Sequence, residues 1–89
     1  MVLNKLGIFM KNIINQLNPI FREIFDDDNL VVESTTTALD IEEWDSLAHI
    51  RLTLAIEKFF GVRFSADEIS NLENVGNIAE LIQKKRVNV

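Results

Sequence analysis

Asp45, Ser46 and His49 place a carboxylate, a hydroxyl and an imidazole within one helical turn of each other. Those are the groups of a nucleophilic hydrolase, but a triad needs its base oriented by a third group and an oxyanion hole beside a substrate pocket. A chain of 89 residues has interior for one small core and little wall for such a pocket. The hydrolase reading is therefore rejected, and no catalytic residue is assigned. Metal chemistry fares no better. His49 is the one histidine, and the run Asp26-Asp27-Asp28-Asn29 lacks the later glycine and glutamate of an EF-hand loop. That run reads as a solvated helix end, and no metal site is expected. The chain has no cysteine, so it has no thiol nucleophile and no disulfide, and any thioester on it would need an imported thiol.

Ser46 is best understood through the elements that must position it. Asp45 is a good N-cap, able to accept the N–H of Leu47 or Ala48, and helical pattern then runs to Phe60, where Gly61 supplies a stop. Helix two is thus expected over residues 46–60, with Ser46 in its first turn, where unpaired N–H groups and the positive dipole end favour an anion. Upstream, Ile13, Ile14, Leu17, Ile20, Phe21, Ile24 and Phe25 follow the i, i+3, i+4, i+7 spacing of a buried helical face. Helix one is expected over residues 11–25, kinked or broken at Pro19, with Asn18 able to cap a restart. Residues 26–44 hold no sustained period and the run Ser34-Thr35-Thr36-Thr37, so a long loop is expected, anchored by Leu30, Val31, Val32, Leu39, Ile41 and Trp44. Ser65-Ala66-Asp67-Glu68 has capping-box spacing and opens a short third helix that ends near Asn71. A fourth helix is expected over residues 75–86, its last turn carrying Lys84, Lys85 and Arg86. The segments 1–10 and 87–89 are assigned as an N-terminal extension and a C-terminal tail around a domain of residues 11–86.

On helix two the apolar residues divide into two faces at about 100° per residue. Leu52, Ile56, Phe59 and Phe60 are expected in the core. Leu47, Ile50 and Leu54 lie nearly opposite, beside Arg51 and Lys58, as an exposed surface a partner could cover; the alternative is that they pack under the third helix or the long loop.

Composition narrows the partners. Fourteen acids against nine bases leave a net charge of −5, the wrong sign for nucleic acid. Nine of those acids, with no base among them, fall between Glu23 and Asp45. An apolar fraction of 47% with three glycines and one proline is globular and poor in turn formers, which favours an all-helical domain. The first ten residues are a poor signal peptide, and their apolar stretch is far short of the ~18 residues of a membrane span. A cytoplasmic monomer that uses neither nucleic acid nor membrane is expected.

Trp44-Asp45-Ser46-Leu47 resembles the D-S-L signature of acyl carrier proteins, and the likeness extends from about Ile13 to Gln83 in the order of helices, the long loop, and the phenylalanine and glycine that end helix two. The resemblance implies an all-α four-helix bundle, three helices long and one short, that carries cargo and is not an enzyme. It implies 4'-phosphopantetheine, donated from coenzyme A, esterified to Ser46, with Asp45 assisting the phosphopantetheinyl transferase. The arm would supply the thiol that the chain lacks. Leu47 and Ile50 match positions that contact partner enzymes, and with Arg51 and Leu54 they form the expected partner surface for acyl-loading and acyl-using enzymes. His49 would pack at the core margin or lie near the prosthetic phosphate.

Two departures qualify the likeness. Many carriers of fatty-acid synthesis have acids two and five positions after the serine, where this chain has Ala48 and Arg51, and Lys58 follows the retained Glu57. A dedicated biosynthetic pathway is therefore expected. An unmodified helical adaptor acting through the Leu47, Ile50 and Leu54 surface is the alternative.

Overall fold

In a computed structural model, the backbone is described over residues 2–87 and side chains over residues 10–86. The chain forms α1 (Val2–Ile24), α2 (Ser46–Phe60), α3 (Ala66–Ser70) and α4 (Val75–Val87), with a 3-10 turn at Ala38–Asp40 inside the long connection from α1 to α2. The expected all-α fold of three long helices and one short helix is the one found.

The core is a three-way contact. α1 packs against both α2 and α4. α1 buries Ile13, Leu17, Ile20 and Phe21; α2 buries Ala48, Leu52, Thr53 and Ile56; α4 buries Val75, Ile78, Ala79 and Ile82. Each set repeats at the i, i+3, i+4 spacing that keeps one helical stripe inward. α3 buries none of its residues, its Ile69 and the following Leu72 being only half-buried against the core. It lies over the bundle as a short cover. Thr53 is the one buried polar residue among those described, and its hydroxyl donates to the carbonyl of Ile50 at 3.0 Å, so it leaves no unpaired group inside.

Several expectations are corrected. α1 begins at Val2 and not near Lys11, so the division expected at residue 10 falls within one continuous helix. Once a helix is nucleated, each further residue adds a hydrogen bond without repeating the nucleation cost, which favours this extension. Nor does Pro19 break the helix. Asn18 is half-buried and works sideways: its amide Nδ2 donates to Ile14 O at 3.0 Å and to Val32 O at 3.2 Å, while its Oδ1 accepts from Val32 N at 2.8 Å. Phe59, expected in the core, is 59% exposed. The buried strip runs Ala48, Leu52, Ile56, and each i+4 step carries it about 40° further round the helix, so it reaches Phe60 and leaves Phe59 about 100° behind. Phe60 itself is only half-buried. In the loop Val32, Ile41 and Trp44 are buried and Leu30 partly so, but Val31 and Leu39 face solvent. Asn88 and Val89, which make up most of the expected tail, lie outside the described residues.

The long loop is held at four places. Asn18 pairs with both backbone groups of Val32, Arg22 Nε donates to Leu30 O at 2.7 Å, and Thr37 and Asp40 form a reciprocal capping box around the 3-10 turn. At the fourth place the loop caps α4, because the N–H groups of Val75 and Gly76 donate to Thr36 O and Ser34 O at 2.9 and 2.8 Å. Gly76 is required there: a Cβ would meet Ser34 O at 2.9 Å, inside contact distance.

Candidate functional site

Asp45 shapes the start of α2. Its backbone is extended, its Oδ1 accepts the Ala48 N–H at 2.8 Å, and its carbonyl accepts the His49 N–H at 2.9 Å. Those two bonds hold the first turn in place and leave the N–H groups of Ser46 and Leu47 without partners among the described residues. Ser46 is exposed at the first helical position. Its hydroxyl is thus open to modification, and a phosphodiester attached there would meet free N–H donors and the positive end of the helix. The residues present fit that group.

Beneath this turn lies an aromatic support that the sequence did not make legible. Trp44 is buried, 5.3 Å edge-on to Phe21 and 6.2 Å from Phe25, which ties the residue just before Asp45 to α1. Its indole Nε1 donates to His49 Nδ1 at 3.0 Å, and the two rings stack with centroids 5.9 Å apart. His49 Nε2 lies 3.0 Å from the carbonyl of Ile69 on α3. An indole N–H can only donate, so Nδ1 must accept and Nε2 must carry the hydrogen given to Ile69. Both ring nitrogens are engaged away from Ser46, and the Asp45 carboxylate is occupied as a cap. The three residues do not form a triad. His49 sits at the core margin, half-buried, one of the two places anticipated for it.

A groove of about 570 Å³ opens beside Ser46, between the start of α2 and the end of α3. Ile50, Ile69 and Leu72 give it apolar walls, with His49, Ser70 and Glu73 as polar ones. On the outer side of α2, Leu47, Ile50 and Leu54 are 69%, 53% and 59% exposed, and they do not pack under α3 or the loop. Arg51 and Lys58 are exposed with them. Glu57, the acid near the helix end, is turned to structural use: its Oε2 accepts the Phe64 N–H at 2.7 Å. At the start of α3, Glu68 closes the capping box with Ser65 and bridges to Lys85 of α4 at 2.8 Å, and the Lys85 hydrogen bond, followed by that from the Ser65 backbone, holds its carboxyl below the usual value.

The Asp26–Asp28 run is a helix stop. Asp26 takes a left-handed backbone, φ 50°, and Asp27 Oδ1 accepts the Asn29 N–H at 3.0 Å in a local turn. No helix among the described residues is long and apolar enough to cross a membrane.

Comparison with known proteins gives a consistent result. Residues 15–82 match the family described as "Phosphopantetheine attachment site". A curated acyl carrier protein of Acidothermus cellulolyticus is 38% identical over 55 residues, and the alignment spans 62% of this chain and 62% of that relative's length. The solution structure of the holo acyl carrier protein of Geobacter metallireducens superposes with a TM-score of 0.79 at 41% identity, covering 84% of this chain and 86% of the other. The crystal structure of an acyl carrier protein of Thermotoga maritima gives a TM-score of 0.78 at 25% identity over 89% and 92% of the two chains.

Proposed function

The chain belongs to the phosphopantetheine-attachment family of acyl carrier proteins, whose prosthetic group is 4'-phosphopantetheine, and from that premise we propose that Ser46 bears the group and that the chain carries acyl intermediates on it as thioesters. The observation that carries the assignment is an exposed serine hydroxyl at the first position of α2, inside the family match, capped by Asp45 and flanked by unpaired N–H groups. The arm supplies, when bound, the thiol that a chain without cysteine lacks. The protein's own residues hold and present: Asp45 fixes the turn and offers a carboxylate to the phosphopantetheinyl transferase, and the core below keeps the turn rigid.

Residues 11–86 form the carrier domain in this reading, supported by buried side chains that run from Ile13 to Ile82. Leu47, Ile50, Arg51 and Leu54 form the face offered to acyl-loading and acyl-using enzymes. A dedicated pathway is favoured over general fatty-acid synthesis, because this face has an exposed arginine and the acid near its end is engaged with Phe64. Incubation with coenzyme A and a broad-specificity phosphopantetheinyl transferase, followed by intact-mass measurement, tests the proposal. One covalent addition of the phosphopantetheinyl mass is expected; an unmodified chain would favour the adaptor alternative.

A further inference from the structure

His49 is absorbed neither by attachment nor by partner contact, yet it is the best-connected side chain near Ser46. It takes the Trp44 indole N–H on one nitrogen and gives a hydrogen to Ile69 O from the other, so a single ring joins the loop before α2, α2 itself and α3. Trp44 is anchored in turn on Phe21 of α1. α3 has few ties of its own: five residues, none buried. The bond to His49 and the Glu68–Lys85 bridge are what hold it by polar contacts to the long helices. The seam between α2 and α3 is thus closed by His49, and the groove that begins at Ser46 runs over that ring and not into the core, whose Leu52, Ile56 and Ile78 are fully buried.

We propose that His49 is a clamp that sets which cargo can leave the open groove for the interior, making this chain a carrier of short or polar acyl groups that lie along Ile50 and Leu72. This rests on the arm being attached at Ser46. To pass between α2 and α3 a chain must break both imidazole bonds, leaving the Trp44 N–H and the Ile69 carbonyl without partners in a partly buried place, a cost that does not depend on the cargo. The gain from burying the cargo grows with each methylene. A threshold length follows, below which cargo stays outside, and His49 raises it.

The test loads the full chain with acetyl-, butyryl-, hexanoyl- and octanoyl-pantetheine and measures two things: cleavage of each thioester by hydroxylamine relative to the free acyl-pantetheine, and NMR contacts from the acyl carbons. For the wild type, the butyryl and hexanoyl thioesters are expected to be cleaved as fast as the free compounds, with contacts to Ile50 and Leu72 and none to Leu52, Ile56 or Ile78. His49→Phe keeps the ring's bulk and removes both bonds. In it the hexanoyl thioester should be cleaved roughly five- to thirtyfold more slowly, the population shift that losing one or two ordinary hydrogen bonds brings, and contacts to Ile56 should appear. Hexanoyl already protected in the wild type would overturn the clamp, as would a His49→Phe protein with wild-type cleavage at every length. Intact mass separates the premise: a chain that takes up no acyl-pantetheine overturns attachment itself, whereas a loaded chain with protected short cargo overturns only the role of His49.

Discussion

Asn18 shows how much one side chain can decide. It sits beside a helix-interior proline and uses its amide as a substitute strand, pairing with both backbone groups of Val32 and so fixing the loop that leads to Ser46. Removing it would leave the Val32 N–H and carbonyl unpaired at a buried residue, a loss of about 1–3 kcal/mol per unsatisfied group. Asn18→Ala is therefore expected to lower the urea midpoint clearly and to speed amide exchange at Val32. An unchanged midpoint would mean that water replaces the amide without penalty. From the sequence alone Asn18 could only be read as a local cap, because its partner lies fourteen positions away and no periodicity marks it. Asp45 was legible for the opposite reason: the Ala48 N–H it accepts is three residues on, and local spacing carries the whole argument.

At the scale of elements, α2 has two faces with different work. Ile56 is fully buried and Leu54 is 59% exposed, so Ile56→Ala should cost about 2–5 kcal/mol and Leu54→Ala well under that in urea melts; an equal loss would place Leu54 in the core. The bounds of α2, α3 and α4 were readable from caps: Asp45 and Gly61, the Ser65–Glu68 box, and the cations after Leu81. The core role of Phe59 was misread, because a single-angle wheel ignores the drift of the buried strip along fifteen residues. α3 also responds to pH through Glu68, whose lowered pKa makes its contribution present above the unfolded carboxylate value and lost as pH falls through the folded one. The group is solvent-exposed and the bridge correspondingly weak. Acidification below the usual carboxylate range should therefore loosen α3 first, seen as exchange broadening at Ser65 and Ile69 before Leu52 or Ile78 change. Uniform broadening across the bundle would contradict this.

Across the whole molecule the charges are segregated. The acids cluster from Glu23 to Asp45, up to the start of α2, while Arg51 and Lys58 interrupt the outer face of α2. A partner enzyme with a basic docking surface would meet Arg51 as a like charge, which slows encounter and can cost several kcal/mol. Arg51→Glu is expected to improve malonyl loading of the modified protein by a general malonyl transferase, read as kcat/KM. Wild-type rates equal to those of an ordinary fatty-acid carrier would remove the charge argument for a dedicated pathway. These predictions all depend on Ser46 bearing the arm, and the intact mass of wild type and Ser46→Ala after parallel treatment with coenzyme A and transferase tests that most directly. One phosphopantetheinyl addition to the wild type and none to a Ser46→Ala protein with unchanged circular dichroism is the predicted result; an addition that survives in Ser46→Ala would contradict it.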